Sequence, residues 1–276
     1  MLIAQTSRGV ARVVDDEYQL LDSDRTLGQL IQDGHLGVLH HASVRDTVSA
    51  SEVTVLAPVS RPGKICIIGL NYLDHAEEIG AAAPTVPRFF WVAGSAASGP
   101  FDDIVLPACA PTEVDYEGEV ALVIGAHAKS VDAQEAWRYV AGITVANDIS
   151  ARDVQLGRGG HDGRANVGVA KSFDTFKPLG PALLTADAIG PDDPLQITTI
   201  IDGETRQSST TANLLFNFAE LVARVSQYAT LEPGDIVLTG TPAGVGMTTG
   251  RYLEPGQVVE VQLEHVGALR NTVVAS

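Results

Sequence analysis

From Lys64 to the C-terminus the chain is a series of short apolar segments, each bounded by Gly, Pro or Asp. Segments of this length, rich in Val and Ile and closed by turn-forming residues, predict β-strands rather than helices. The predicted strands are ICIIGL, DIVLP, EVALVIG, GITVAND, LQITTIID, DIVLTG, VVEVQL and LRNTVV. The sequence therefore predicts a β-rich α+β protein.

Helical periodicity is confined to a few places. Apolar residues at helical spacing predict helices over residues 27–39, 132–142 and 212–229. The first of these lies among short alternating stretches that predict a small α+β module. Arg61, Pro62 and Gly63 then interrupt the pattern. We therefore predict a small N-terminal domain over residues 1–60 and a second, larger domain over residues 61–276.

Composition limits the classes of partner. The chain has 276 residues, of which 45% are hydrophobic, and a formal net charge of −16. An acidic chain of this kind is not expected to bind nucleic acid, because binding phosphate requires a basic surface. No apolar run has the length of a membrane span, and the N-terminus lacks the apolar core of a signal peptide, so we expect a cytoplasmic protein with no membrane partner. Cys66 and Cys109 have no metal-site or disulfide spacing and are expected to be reduced core residues.

Three carboxylates stand at the ends of predicted strands. Glu117 and Glu119 open one apolar run, and Asp148 closes the next. Residues at i and i+2 of a strand project to the same face, so the two glutamates should lie close together and repel unless a cation neutralises them. With oxygen ligands only, Mg²⁺ is the first expectation, followed by Mn²⁺ or Ca²⁺. For an isolated Glu-x-Glu, ordinary surface charge would be the commoner explanation.

Four further motifs carry chemistry. His75 and Glu78 stand three residues apart in a helix-compatible segment, where the carboxylate could orient the imidazole as a general base, although a solvated surface helix has the same pattern. Arg152 and Gln155 follow Asp148 at helical spacing and could reach the same cation. The remaining two motifs are AKSFDTFKPLGP, with Lys171, and the Gly-rich loop LTGTPAGVG, with Thr239, Gly240 and Thr241. That loop does not match the phosphate-binding spacing and could equally be a structural turn.

In this order, these motifs resemble the fumarylacetoacetate hydrolase family. The resemblance runs from about Lys64 to Val274 through GLNYLDHAEE, DYEGE, VANDISARDVQ, KSFDTFKPLGP, LEPGDIVLTGTPAGVG and LRNTV. It implies a mixed β-roll-like catalytic domain, a homodimer, a metal held at one end of the sheet and a mobile lid that bears the His/Glu pair.

The resemblance also implies roles for residues of this sequence. The implied metal ligands are Glu117, Glu119 and Asp148. The implied catalytic residues are His75, Glu78, Lys171 and Gln155, and the implied substrate contacts are Arg152, Gly240 and Thr241.

The activity that follows from the resemblance is cleavage of a C–C bond in a small anionic 2-oxo acid, of the acylpyruvate or 2,4-dioxo acid type, with Mg²⁺ or Mn²⁺ as cofactor. His75 and Glu78 would activate water, Lys171 and Gln155 would hold the oxyanion, and the cation would stabilise the departing enolate. The alternatives are a 2-hydroxymuconate-type isomerase, an oxaloacetate decarboxylase and a catalytically silent metal-binding protein of the same fold.

Two segments depart from the family pattern. Val92 and Ala93 stand where many members carry Lys-Pro. The segment 157–170 is longer than expected and brings Arg158, His161 and Arg164, which could bind a second anionic group of a substrate or form a solvated loop. Both departures bear on the identity of the substrate rather than on the metal site.

Overall fold

The computed structural model describes residues 1–15, 17–158 and 163–276. The strands of this part of the chain are β1 (Leu2–Thr6), β2 (Gly9–Val14), β3 (Glu17–Leu21), β4 (Val44–Ser49), β5 (Val55–Leu56), β6 (Ile65–Gly69), β7 (Arg88–Val92), β8 (Ala97–Ser98), β9 (Ile104–Leu106), β10 (Val114–Asp115), β11 (Gly118–Ile124), β12 (Val140–Asn147), β13 (Ser150–Ala151), β14 (Lys177–Thr185), β15 (Gln196–Ile201), β16 (Glu204–Thr210), β17 (Ile236–Leu238), β18 (Val258–Leu263) and β19 (Gly267–Ala275).

The α-helices of the described residues are short. They are α1 (Leu27–Gln32), α2 (Leu73–Glu78), α3 (Ala133–Ala136), α4 (Arg152–Leu156), α5 (Val167–Ala170), α6 (Phe218–Ser226) and α7 (Gly246–Thr249). The predicted β-rich class is confirmed, and each of the eight predicted strands is present.

Among the described residues the largest sheet has twelve strands. Its order is β4-β3-β2-β1-β14-β12-β11-β17-β6-β7, with β5 paired to β1 and β8 paired to β14. A five-stranded sheet, β16-β15-β18-β19-β9, and a two-stranded pair, β10-β13, complete the set. Most pairs are antiparallel, and the parallel ones join β6 to β17, β8 to β14 and β9 to β19.

The first strand of the chain joins the same sheet as the strands that follow Lys64. Leu2 pairs with Leu184 and Ile3 with Leu183, so β1 and β14 are neighbours. Residues 1–56 thus extend the large sheet through β1 to β5. The division into two domains at residue 60 stays a prediction.

Strand β11 is buried on both faces. Val120, Leu122 and Ile124 pack in one apolar cluster with helix α6, while Ala121 and Val123 pack in a second cluster with helix α1. A strand covered on both sides needs apolar residues at every position, which explains the uninterrupted run VALVI. The two clusters hold β11 firmly, and with it the glutamates at its start.

Two of the predicted helices end earlier than the sequence suggested. Helix α1 ends at Gln32, because Gly34 adopts a left-handed conformation with φ of 68°, and a separate 3-10 turn follows over Leu36–His40. Helix α3 ends at Ala136, and after one 3-10 turn Val140 already begins β12. A left-handed glycine in the first case and strand pairing in the second override the helical pattern.

The third predicted helix begins later than expected. Helix α6 starts at Phe218, because Asn217 caps it: the Asn217 side chain accepts a hydrogen bond from the Glu220 amide, and the Glu220 carboxylate accepts one from the Asn217 amide. Leu214 and Leu215 therefore lie outside the helix. One cysteine prediction is also wrong, since Cys66 is buried but Cys109 is exposed.

Candidate active site

The pairing of β11 with β12 brings three carboxylates to one edge of the large sheet. Glu119 pairs with Ala146 and Gly118 with Asn147, and the Asp148 amide donates a hydrogen bond to the Glu117 carbonyl at 2.8 Å. One carboxylate oxygen from each of Glu117, Glu119 and Asp148 lies within 4.8 Å of the others, and all three residues are buried. The predicted convergence of these carboxylates is confirmed.

Two lysines flank Asp148. The Lys171 ammonium donates to Asp148 Oδ2 and to Glu117 Oε2, both at 2.5 Å. The Lys177 ammonium lies 2.9 Å from Asp148 Oδ1 but donates its hydrogen bonds to the carbonyls of Ile149 and Phe176. No described residue donates a hydrogen bond to Asp148 Oδ1, although the atom is buried.

Arg152, on helix α4, forms ion pairs with Glu117 and with a further carboxylate, Asp115. Its Nη2 lies 2.5 Å from Glu117 Oε1 and 2.8 Å from Asp115 Oδ2, and its Nη1 donates to Gln155 Oε1 at 2.7 Å. The guanidinium is buried within this network, so it orients Glu117 and Gln155. Contact of Arg152 and Gln155 with a substrate stays a prediction.

The pKa values of Glu117 and Glu119 are shifted in opposite directions. Burial alone would raise the pKa of Glu117, but the adjacent Arg152 and Lys171 outweigh it and hold the pKa well below its usual range. Burial, reinforced by Asp148 and Glu117, raises the pKa of Glu119 well above its usual range. Burial also lowers the pKa of Lys177 to about 8, against the attraction of Asp148. A cation at the triad would relieve the repulsion on Glu119.

Lone pairs remain for such a cation. Each carboxylate oxygen can accept more than one contact, so the ion pair of Asp148 Oδ1 with the Lys177 ammonium at 2.9 Å leaves that oxygen able to bind a cation as well. An all-oxygen donor set of three carboxylates is the set that hard divalent cations prefer. The triad thus fits a divalent metal, as the sequence predicted.

Helix α2 carries the His75 and Glu78 pair. Nδ1 of His75 lies 2.9 Å from Glu78 Oε2, while Glu78 Oε1 accepts hydrogen bonds from the Gly244 amide at 2.9 Å and the Thr248 hydroxyl at 2.8 Å. His75 is only 8% exposed, so the alternative of a solvated surface helix is wrong for this residue. The contact to Glu78 leaves Nε2 as the ring nitrogen free to act on a bound molecule.

The Gly-rich loop LTGTPAGVG contacts the carboxylate site from a third direction. The Gly240 amide donates to Glu119 Oε2 at 2.7 Å, and the Thr241 hydroxyl donates to the Gly118 carbonyl at 3.1 Å. Gly240 has φ of 98°, and an added Cβ would lie 2.9 Å from Asn71 Cβ, so glycine is required there. The Thr239 hydroxyl donates a hydrogen bond to the Val120 carbonyl. The loop orients Glu119, and a substrate contact by Gly240 or Thr241 stays a prediction.

These groups face one cavity of about 200 Å³. Its charged and polar wall consists of His75, Glu117, Glu119, Asp148, Arg152, Gln155, Lys171 and Thr241, and its apolar wall includes Ile67, Ile79, Phe90 and Met247. Larger clefts of about 570 and 610 Å³ lie elsewhere and contain no comparable group of ionisable residues. A cleft of about 420 Å³ does contain ionisable side chains, but all of them are exposed: Asp22, Asp24, Arg25, His35 and His41. The chemistry therefore favours the smaller cavity.

Sequence reasoning missed two members of this network. Asp115 accepts hydrogen bonds from Arg152 and from the amides of Gly246 and Met247, and Lys177 lies behind Asp148. Both stand inside the motifs DYEGE and KSFDTFKPLGP. Neither residue lies in one of the predicted strands, so the local sequence contained no signal that these charges would be buried.

The two departures from the family pattern lie near this site. The Ala93 amide donates to the Ser172 hydroxyl at 3.1 Å, next to Lys171, and Val92 is the last residue of β7. Arg158 lies 2.7 Å from Glu113, so its charge is matched by a carboxylate. His161 lies outside the described residues, and an anion-binding role for Arg158 or Arg164 stays a prediction.

The family model described as fumarylacetoacetate (FAA) hydrolase, C-terminal, matches residues 64–274. The chain belongs to the fumarylacetoacetate hydrolase family. The resemblance inferred from the motifs is confirmed, and the chain is an enzyme of this family.

Among curated proteins, the chain is 46% identical over 226 residues to an oxaloacetate tautomerase of Bos taurus, FAHD2A, which is named as mitochondrial; the match covers 81% of this chain and 70% of that protein. Among solved structures, a putative HpcE protein from Mycobacterium smegmatis superimposes with a TM-score of 0.88 at 31% identity. A fumarylacetoacetate hydrolase from Exiguobacterium antarcticum does so with a TM-score of 0.85, also at 31% identity. Both structural matches cover 100% of each chain.

The relatives thus include a tautomerase as well as a hydrolase, and membership of the family leaves the reaction open. No helix of the described residues is both long and apolar enough to cross a membrane.

Proposed function

We propose that this enzyme interconverts the enol and keto forms of oxaloacetate or a closely related small 2-oxo dicarboxylic acid, with a divalent cation, Mg²⁺ or Mn²⁺, at the carboxylate triad. One observation carries the proposal: a small cavity faces both the triad and the His75–Glu78 pair, in a chain 46% identical to an oxaloacetate tautomerase. The hydrolase expected from the sequence becomes the second candidate.

The net reaction moves one proton between C3 and the 2-oxo oxygen and breaks no carbon–carbon bond. A divalent cation, when bound, would polarise the carboxylate and 2-oxo oxygens of the substrate. His75 is the group in the cavity that can take the C3 proton or return it, through Nε2. Glu78 stabilises the protonated imidazole, and its contacts to Gly244 and Thr248 fix the position of the pair.

Lys171 supplies positive charge beside the reacting oxygen. Its ammonium is buried between Glu117 and Asp148, and burial is opposed by these two carboxylates, which raise the pKa of Lys171. It therefore stays cationic across the neutral range and can stabilise the negative charge that develops on the 2-oxo oxygen. Gln155, oriented by Arg152, is the neutral donor on the same wall.

Hydrolysis of an acylpyruvate is favoured by one specific feature, the hydrogen-bonded His75–Glu78 pair, since such a pair can also activate water. The same enolate would then leave after attack on the distal carbonyl. Tautomerisation needs the same base and no water, so the two reactions differ in what enters the cavity rather than in the groups that line it.

A substrate panel separates the candidates. The chelated protein, resupplied with Mg²⁺ or Mn²⁺, is assayed with the enol form of oxaloacetate and with acetylpyruvate. We expect the enzyme to accelerate the loss of the enol absorbance of oxaloacetate without releasing pyruvate. We expect it to turn over acetylpyruvate more slowly than enol-oxaloacetate. Release of pyruvate and acetate from acetylpyruvate, at a kcat/KM higher than that for enol-oxaloacetate, would favour the hydrolase. Release of pyruvate from oxaloacetate would favour the decarboxylase. No turnover of any substrate would favour the catalytically silent protein.

We further propose a homodimer, as the family resemblance suggested, and a cytoplasmic location. The name of the bovine relative points to mitochondria instead. Sedimentation of the purified chain tests the dimer, and fractionation of the source cells tests the location.

A further inference from the structure

Lys177 is a buried cation that does not face the cavity. Its side chain is 0% exposed, and its ammonium is enclosed by the Ile149 carbonyl at 3.0 Å, the Phe176 carbonyl at 2.9 Å and Asp148 Oδ1 at 2.9 Å. Lys171, in contrast, lines the cavity. Lys177 is therefore placed to act on Asp148 rather than on a substrate.

The position of Lys177 opposes a cation at the triad. A buried positive charge in contact with one ligand lowers the negative potential of that ligand, and it repels a divalent cation bound on the other side of the carboxylate. Lys171 could turn into the cavity when a cation enters, but Lys177 has no cavity to enter and is tied to two carbonyls.

An orienting effect of Lys177 could act in the opposite direction, by fixing Asp148 for the cation. That contribution is largely duplicated, because Lys171 already binds Asp148 Oδ2, and the Asp148 main chain is held by Glu117 and Ser150. The charge of Lys177 is not duplicated on that side of the carboxylate. Repulsion should therefore exceed orientation.

We propose that Lys177 weakens the binding of the divalent cation, acting through Asp148 as an affinity-setting residue of the metal site. The inference rests on the proposed cation site and deepens it. Its consequence is a cation that exchanges with solvent instead of remaining bound permanently.

The test is a titration of the chelated, full-length protein with Mn²⁺, followed by the electron spin resonance signal of the free ion. Lys177→Met keeps the length of the side chain and removes its charge, and we expect its Kd for Mn²⁺ to fall about 10-fold or more below the wild-type value. Lys129→Met makes the same change at an exposed site and should leave the Kd unchanged. Circular dichroism checks that each variant is folded.

A Kd for Lys177→Met that is equal to or larger than the wild-type value overturns the proposal. If Lys177→Met does not fold, Lys177→Gln, which keeps a donor for the two carbonyls, takes its place with the same criterion. Failure of the proposed function is distinguishable: wild-type protein that binds no Mn²⁺ removes the cation site itself, whereas equal binding by wild type and variant removes only the role of Lys177.

Discussion

Nδ1 of His75 lies 2.9 Å from Oε2 of Glu78, and the other oxygen of Glu78 is bound by the Gly244 amide and the Thr248 hydroxyl. The carboxylate is therefore fixed at both oxygens. It holds the imidazole through Nδ1, so a general base at this position would work through Nε2.

Replacing His75 by Ala should reduce enol–keto conversion of oxaloacetate by about 10²-fold or more, the usual contribution of a general base. Glu78→Gln should reduce the rate less, because it removes only the charge that stabilises the protonated ring. Glu77→Gln, an exposed position on the same helix, is the matched control. Retention of the full rate by His75→Ala would remove His75 from the mechanism.

Cation binding should release a proton and tighten as pH rises. Burial, together with Asp148 and Glu117, raises the pKa of Glu119, so we expect the metal-free carboxyl to hold a proton that a cation would displace. Titrations with Mg²⁺ or Mn²⁺ in buffers of different ionisation enthalpy measure this release. An affinity that stays constant with pH, with no proton released, would contradict the assignment of Glu119.

The same shift gives a stability prediction. A raised folded-state pKa stabilises the metal-free fold at pH values below the ordinary pKa of a glutamate, and that contribution is lost as pH rises through the folded value. The Tm of the chelated wild type should therefore fall relative to that of Glu119→Gln as pH increases. Parallel Tm curves for the two proteins would show that Glu119 is not protonated in the metal-free fold.

Gly118 separates the two glutamates, and the space around it is closed. A Cβ there would lie 2.3 Å from Thr199 Oγ1 and 2.9 Å from Val261 Cγ1. Gly118→Ala should therefore reduce the free energy of unfolding by about 1–3 kcal/mol, the usual cost of overpacking. Gly37→Ala, where an added methyl group meets open space in the described structure, is the control. Urea denaturation measures both, and equal stabilities would mean that β11 and the five-stranded sheet separate easily.

Part of this site follows from local sequence. Two-residue spacing places Glu117 and Glu119 on one side, and the helical spacing of His75 and Glu78 predicts their contact; both relationships need only one element each. The start of helix α6 could also have been predicted from local sequence, since Asn217 and Glu220 form a capping-box pattern.

The rest depends on contacts between distant parts of the chain. Arg152 meets Asp115 across 37 residues, and the Gly240 amide meets Glu119 across 121, so no periodicity could predict either pair. Lys177 could be located only once β14 was placed beside β12. The helix predicted over residues 132–142 ends early for the same reason, because Val140 pairs with Ile124.

The central claim, an enzyme that moves a proton on a small 2-oxo acid at a cation held by the triad, is tested most directly with Glu119→Gln. The variant and the wild type are chelated, resupplied with Mg²⁺ or Mn²⁺, and compared for the rate at which enol-oxaloacetate disappears. We expect the wild type to accelerate the reaction only with the cation, and the folded variant to show no acceleration with it. Equal acceleration by wild type and variant, or none by the wild type with either cation, would contradict the account.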